Sequence, residues 1–216
     1  MGEKSTGARA VLSLPLVYEL WSRLVGGERG RSTLVREHVR PRAGERVLDL
    51  GCGPGELLPF LGDVRYVGVD ISEQYVARAR ERFGERAEFR VGDATRIDPD
   101  LRGFDLVIAF GVIHHLDDAG AVRLFRGAVE ALPDGGRVVT VDPTYAPGQG
   151  RAARAVIARD RGQHVRGPEE YERLAREALS TVETTVRHDL LRIPYSHCIL
   201  ECRSGKEAPS EERSRP

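Results

Sequence analysis

The sequence predicts an α/β fold with a doubly wound, mostly parallel sheet of seven strands that ends in an antiparallel hairpin. Short apolar runs such as 106–110 are typical of strands buried on both faces of a parallel sheet. Helical segments separate these runs, which indicates parallel βαβ units. Near the end, two β-rich segments, 181–190 and 194–202, are divided only by a short turn around Arg192 and Ile193. Strands joined so closely must pair antiparallel.

The individual elements follow from apolar periodicity and capping residues. An amphipathic helix over 14–25 is expected to act as a lid or packing helix, and a short helix over 31–39 ends before Pro41. The next strands are predicted at 46–50, 65–70, 87–91, 104–110 and 137–142, with helices at about 56–61, 73–83 and 118–131. Ser72 and Asp117 are the predicted N-caps of the last two helices. Two further helices, 149–160 and 168–179, precede the hairpin.

The chain has 216 residues and a mass of 23.9 kDa, a size that favours one α/β domain. We expect residues 1–40 to form N-terminal lid or packing helices and residues 41–203 to form a single domain. Within that domain, residues 143–180 are expected to be a substrate-region insertion. Residues 204–216 are charged and contain Pro and Ser, so a disordered tail is expected there.

Charge and cysteine content narrow the class of partner. Lys plus Arg and Asp plus Glu number 33 each, so no net field favours nucleic acid or an anionic membrane. We therefore expect a small-molecule substrate, no membrane insertion, and a monomer or homodimer. No signal peptide is recognisable, and the three cysteines are too few for a disulfide scaffold, so a cytoplasmic location is expected. Cys198 and Cys202 would share a strand face, but no partner pair completes a site, so no metal is expected.

The glycine-rich segment after the first predicted strand is the most informative part of the sequence. Gly51, Gly53 and Gly55 remove side chains where main-chain N–H groups and a helix N-terminus could approach a ligand closely. The G-x-G-x-G spacing has no glycine at Glu56 and so misses the pattern that seats a dinucleotide pyrophosphate. Asp49 would repel a phosphate, whereas it suits a ligand that bears an amine.

This segment resembles motif I of the class I S-adenosylmethionine-dependent methyltransferases, and the neutral charge of the chain favours those with small-molecule substrates. Over roughly residues 40–142 the family's other motifs follow in order: Asp70 after the second strand, Asp93 after the third, and the segment 110–116 after the fourth. A terminal antiparallel hairpin also separates this Rossmann-like fold from the dinucleotide-binding one. The resemblance implies S-adenosyl-L-methionine as cofactor and S-adenosyl-L-homocysteine as product.

The ends of the strands supply the predicted cofactor site, because ligands of open α/β sheets bind there. Asp70 is expected beside the ribose, where one carboxylate accepts from two adjacent hydroxyls, and Ile71 would offer an apolar face to adenine. The alternative for Asp70 is a cap on the following helix, although Ser72 can fill that role. The expected cofactor-binding residues are Asp49, Gly51, Cys52, Gly53, Gly55, Asp70, Ile71, Asp93, Ala94, Phe110 and His115.

Methyl transfer is an in-line displacement in which the protein mainly positions the partners. A base is needed only if the acceptor is a hydroxyl, an acidic C–H or a protonated amine. His114 and His115 are the candidate catalytic residues, since imidazole accepts a proton near neutral pH. The alternative is that the pair shapes the cofactor site or the fold.

Polar and aromatic residues outside the motifs are the candidates for binding the acceptor. Polar loops over an active-site mouth often bind substrate, although the loop around Arg161 and His164 could equally be a solvated connection. Tyr195 and His197 are expected to share one face of the last strand, where they either line the pocket or pack. The predicted substrate-binding residues are Tyr18, Tyr145, Arg161, His164, Tyr195 and His197.

The sequence thus predicts an S-adenosylmethionine-dependent methyltransferase, class EC 2.1.1.-, that methylates a small molecule. One alternative is an enzyme of the same fold that uses the bound cofactor for a rearrangement, cyclisation or decarboxylation without transfer. A regulatory module of the same fold would be expected to have a degraded glycine turn or to lack Asp70, and neither is the case.

Overall fold

The structure, a computed structural model, describes residues 27–159 and 162–205. In this part of the chain seven strands form one sheet: Arg46–Leu50 (β1), Arg65–Asp70 (β2), Glu88–Val91 (β3), Leu106–Phe110 (β4), Arg137–Pro143 (β5), Thr181–Arg187 (β6) and His197–Arg203 (β7). Their spatial order is β3–β2–β1–β4–β5–β7–β6, and every pair is parallel except those that β7 makes with β5 and β6. The predicted fold class is confirmed. The direction of winding reverses between β1 and β4, which opens a crevice at their carboxyl ends.

Helices cover both faces of the sheet. They are Gly27–Leu34 (α1), Glu73–Phe83 (α2), Asp118–Ala131 (α3), Arg151–Ile157 (α4) and Pro168–Arg176 (α5). A π-helical turn, Val35–Val39, continues α1, and 3-10 turns occupy Leu58–Phe60 and Ile113–His115. The α1 and α2 helices pack on one face and α3 and α5 on the other, so two apolar cores enclose the sheet. No helix of the described residues is long and apolar enough to cross a membrane.

The predicted helices 73–83 and 118–131 have the bounds of α2 and α3 and are confirmed. Their N-caps act as expected, because Ser72 Oγ accepts from the Tyr75 N–H at 3.3 Å and Asp117 Oδ1 accepts from the Gly120 N–H at 2.7 Å. The N-terminus of each of these two helices is therefore determined by a capping residue directly before its first turn.

The helix predicted at about 56–61 is wrong, since only the 3-10 turn Leu58–Phe60 forms there. Leu58 and Leu61 are almost fully buried, and Gly62, at φ +72°, ends the turn at once. The chain thus buries its leucines without completing an α-helix. The glycine turn is consequently not followed by a helix N-terminus.

Other boundaries also differ from the prediction. The helix expected over 31–39 already includes residues from Gly27 and ends in the π-helical turn, and α4 and α5 are shorter than expected. The last two strands are not joined by a tight turn, since the loop 188–196 connects them. The Ser196 carbonyl of this loop accepts from the Thr144 N–H at 3.0 Å. Ser204, expected to begin the tail, is buried and hydrogen-bonds Pro133 and Gly136. The helix predicted at 14–25 lies outside the described residues.

Candidate active site

The glycine turn exposes main chain at the carboxyl end of β1. Gly51, Gly53 and Gly55 all have positive φ angles, +76°, +53° and +78°. A Cβ atom on Gly51 would lie 2.4 Å from Cγ2 of Val112, so this glycine is required by packing against the segment after β4. A Cβ on Gly53 would meet no atom within 4 Å. The main chain at Gly53 therefore faces open space that a ligand can use.

Asp70, the last residue of β2, ties this turn to α2. Its Oδ2 accepts from the Gly53 N–H at 2.8 Å, and its Oδ1 accepts from the Ser72 N–H at 2.8 Å. The residue is 9 % exposed. Each carboxylate oxygen keeps further acceptor capacity, so Asp70 can hold the turn and still accept from ligand hydroxyls.

Large apolar side chains are exposed beside this carboxylate. In the described part of the chain, Ile71 is 75 % and Val91 48 % exposed, and they follow or end the adjacent strands β2 and β3. Asp93 comes two residues after β3, and its Oδ1 accepts from both the N–H and the hydroxyl of Thr95 at 2.8 Å. Ile71 and Val91 thus form an exposed apolar surface, and the carboxylates of Asp70 and Asp93 lie next to it.

Asp49 lies beneath the turn rather than at its surface. It is 3 % exposed and accepts a hydrogen bond from the Tyr66 hydroxyl at 2.6 Å. Burial raises the pKa of the Asp49 carboxyl to about 7, with a smaller contribution from repulsion by Asp70 and against the effect of the Tyr66 hydrogen bond. Burial also raises the pKa of the Cys52 thiol far above its ordinary value, so this cysteine stays protonated.

The two predicted catalytic histidines have different environments. His114 is 5 % exposed, and its Nδ1 lies 2.8 Å from Asp142 Oδ1, which also accepts from the His114 backbone N–H at 3.1 Å. His115 is exposed at the carboxyl edge of the sheet, and the two imidazole centroids are 4.1 Å apart. The side chain of His114 is thus fixed by Asp142, whereas that of His115 is accessible to a substrate.

The remaining predicted cofactor residues lie close to the same edge. Phe110 ends β4 and packs, half-buried, against the core cluster on the α1 and α2 face. Ala94 packs, also half-buried, against the cluster on the opposite face. Both residues keep part of their surface exposed near the carboxyl ends of the strands, where the cofactor is expected.

The predicted acceptor residues are brought together only in part. The His164 N–H donates to the His114 carbonyl at 2.9 Å, so this residue lies beside the turn after β4. His197 begins β7 opposite Pro143, and its ring centroid is 4.9 Å from that of Tyr195, which lies in the preceding loop rather than on the strand. Tyr145 carries the Arg154 guanidinium over its ring at 5.2 Å. Tyr18 and Arg161 lie outside the described residues.

Two buried residues of this region were not among the predicted site residues. Asp142 is 2 % exposed at the end of β5, and a carboxylate at the end of a strand is the same signal that identified Asp70. Arg166 is 7 % exposed within a polar segment of the chain, and no sequence pattern marks it. Among the described residues, no three His, Cys, Asp or Glu side chains are grouped to hold a metal ion.

The strand order, the glycine turn after β1 and the acids after β2 and β3 are those that the predicted resemblance implies. Residues 47–136 match the family model of the methyltransferase domain. The predicted resemblance to the class I S-adenosylmethionine-dependent methyltransferases is thereby confirmed.

Curated relatives match more than half of the chain. The chain is 35 % identical over 133 residues to 27-O-demethylrifamycin SV methyltransferase of Amycolatopsis mediterranei, which covers 57 % of this chain and 48 % of that protein. It is 32 % identical over 143 residues to phosphoethanolamine N-methyltransferase 1 of Triticum aestivum. That alignment covers 63 % of this chain and 28 % of the relative. The chain therefore spans less than half the length of these two relatives.

Solved structures share the fold at low sequence identity. A TehB-like SAM-dependent methyltransferase from Corynebacterium glutamicum superposes with a TM-score of 0.60 at 19 % identity, over 87 % of this chain and 96 % of that one. The second structure is phosphoethanolamine N-methyltransferase 2 of Haemonchus contortus, solved with phosphomonomethylethanolamine and S-adenosylhomocysteine. It superposes with a TM-score of 0.71 at 17 % identity, over 95 % of this chain and 62 % of that one.

Proposed function

We propose that this protein is an S-adenosylmethionine-dependent methyltransferase, class EC 2.1.1.-, that transfers a methyl group to a small-molecule acceptor. The family match over 47–136 supports the reaction class. The relatives include 27-O-demethylrifamycin SV methyltransferase and phosphoethanolamine N-methyltransferase 1, which supports a small acceptor.

The observation that carries the cofactor proposal is the arrangement of Asp70. Its carboxylate is anchored to the main chain of Gly53, while the adjacent Ile71 is 75 % exposed. Val91, 48 % exposed, lies opposite Asp70 on the neighbouring strand, so two exposed apolar side chains stand beside this carboxylate. An exposed apolar patch with a polar rim is typical of a ligand-binding surface. A nucleoside fits this pair, because its ribose offers two hydroxyl donors and its base offers an apolar face.

When bound, S-adenosylmethionine supplies a methyl group on a cationic sulfur, so the leaving group needs no protonation. The protein's own contribution is to position the acceptor in line with the methyl group and to exclude water. The main chain at Gly51 and Gly53 is proposed to approach the cofactor, and the turn Ile113–His115 is proposed to pass alongside it.

His115 is proposed as the base for an acceptor that must lose a proton. It is the exposed member of the pair, and an unperturbed imidazole accepts protons near neutral pH. His114 is proposed to orient it, because Asp142 fixes the His114 ring against which His115 packs.

The test has two stages. Calorimetric titration with S-adenosylhomocysteine is expected to give saturable binding, and no heat at millimolar ligand would contradict the cofactor proposal. Incubation with S-adenosylmethionine and a panel of phenols, hydroxylated macrolactams and ethanolamine phosphates is then analysed by mass spectrometry. Equal amounts of S-adenosylhomocysteine and of a methylated product are expected. Conversion of an acceptor without S-adenosylhomocysteine would contradict methyl transfer.

A further inference from the structure

Arg166 is a buried cation whose hydrogen-bond donors are all engaged. Its Nε and Nη2 donate to Asp118 Oδ1 at 3.0 and 2.8 Å. Its Nη1 donates to the carbonyls of Ile113 and His164 at 3.2 and 3.0 Å, and Nη2 also donates to the carbonyl of Leu116 at 2.7 Å. These bonds use the five N–H groups of a guanidinium.

The backbone of the same residue binds a different segment. The Arg166 carbonyl accepts from the Thr144 hydroxyl at 2.9 Å and from the Tyr145 N–H at 3.2 Å. Its own N–H donates to the Tyr171 hydroxyl at 3.3 Å. The side chain of Arg166 thus holds the segment that follows β4, while its backbone holds the segment that follows β5.

The energetics favour arginine at this position. A buried charge is costly unless it is paired and hydrogen-bonded. The paired anion, Asp118, is 59 % exposed in its side chain and is shared with Arg173, so the carbonyls of Ile113 and Leu116 must stabilise much of the charge. The guanidinium hydrogen bond of Arg166 is also the main cause of the lowered pKa of Asp118. A lysine has only three donors and cannot make these bonds together.

We propose that Arg166 is a positioning residue that locks the turn carrying His115 to the acceptor-side segment 143–145. Its carbonyl contacts at Ile113 and Leu116 bracket the two histidines. The importance of this lock for turnover rests on the proposed function, whereas the lock itself does not. Losing it frees the turn to open while the pairing of β1 with β4 is kept.

The test compares Arg166→Lys with Arg173→Lys in the full chain. Arg173 is the matched control, because it also donates to Asp118, at 2.9 Å, but is 57 % exposed in its side chain and has no recorded bond to the turn. Amide hydrogen exchange of His115, Leu116 and His164 is followed by NMR, together with the cross-peak between the rings of His114 and His115. In Arg166→Lys these amides are expected to exchange at least about tenfold faster, as expected for the loss of bonds to a charged group, and the cross-peak is expected to weaken.

Exchange of the amides of β1 and β4 is expected to change less than about twofold in either variant. Equal exchange of the turn amides in Arg166→Lys and the unmodified protein would overturn the proposal. So would faster exchange spread over the whole sheet, or the same effect from Arg173→Lys, since either would make Arg166 a general stabiliser. If Arg166→Lys does not fold, Asp118→Asn replaces it and is expected to accelerate the same amides about threefold.

The readouts need no acceptor, so the two proposals fail separately. An absence of S-adenosylhomocysteine binding by the unmodified protein counts against the proposed function alone. With an acceptor that the unmodified protein methylates, Arg166→Lys is expected to lower kcat about tenfold or more, a larger relative change than that in KM for S-adenosylmethionine.

Discussion

The amide nitrogen of Gly53 lies 2.8 Å from Oδ2 of Asp70, so a carboxylate at the end of β2 holds the main chain of the turn after β1. The turn and the carboxylate are therefore one unit, although they lie on different strands. Changes to either residue should affect ligand binding through the other, which makes matched controls necessary.

Gly53→Ala separates backbone strain from ligand blocking. The new Cβ meets no protein atom within 4 Å, so the variant should fold with a loss of about 1–2 kcal/mol from the left-handed backbone. Affinity for S-adenosylhomocysteine is expected to fall about tenfold or more, because the methyl group occupies the proposed ligand space. Calorimetry measures the affinity and urea denaturation the stability.

Gly44→Ala is the control for this variant, since Gly44 has φ +78° and equally open surroundings away from the site. It should show a similar loss of stability with unchanged affinity. Equal affinities of the two variants would place Gly53 outside the cofactor site.

Asp70→Ala is expected to weaken S-adenosylhomocysteine binding by about 1.5–3 kcal/mol, the range for hydrogen bonds to a charged group. Part of this loss would come from the freed N–H of Gly53, and part from the ribose contact. Asp134→Ala, in the exposed turn before β5, is the control and should bind normally. Unchanged affinity of Asp70→Ala by calorimetry would remove this residue from the site.

Asp49→Asn is expected to change how stability depends on pH. The ordinary pKa of an aspartate is 3.8, whereas that of folded Asp49 is about 7. Between these values the unfolded chain has lost its proton and the folded chain still holds it, so the free energy of unfolding falls as pH rises, by at most about 1.4 kcal/mol per pH unit. Asparagine keeps the acceptor for the Tyr66 hydroxyl and removes the titration. Denaturation of both proteins across this range should therefore give diverging curves, and parallel curves would contradict the raised pKa.

His115→Gln should abolish turnover for an acceptor that must be deprotonated and should leave S-adenosylhomocysteine affinity within about twofold. His114→Gln is its counterpart and should chiefly lower the free energy of unfolding, by about 1–3 kcal/mol, because it leaves buried Asp142 without a ring donor. Steady-state kinetics and denaturation separate the two. Full activity of His115→Gln on a hydroxyl acceptor would show that another group takes the proton.

The parts of the fold that local chemistry determines could be predicted from the sequence. The bounds of α2 and α3 follow from Ser72, Asp117 and the apolar periodicity, all within a few residues of each other. The helix expected at 56–61 is wrong for a reason that is also local, because Pro59 lacks a backbone donor and Gly62, at φ +72°, ends the turn.

The candidate site has both local and non-local features. The positions of the glycine turn after β1 and of Asp70 at the end of β2 could be predicted because their residue types and spacing form a local pattern. The inward position of His114 depends on Asp142, and the burial of Arg166 depends on Ile113 and Leu116. Contacts between residues so far apart in the chain leave no local pattern.

The place of β7 between β5 and β6 affects how the chain can fold during synthesis. Residues 197–203 supply the partner for both neighbours, so β5 presents an unsatisfied edge of backbone groups until the ribosome has released them. A nascent chain that stalls before this point exposes β5 as an unpaired edge strand, which can pair with a strand of another chain. Truncation upstream of β7 therefore exposes the protein to intermolecular pairing rather than merely shortening it.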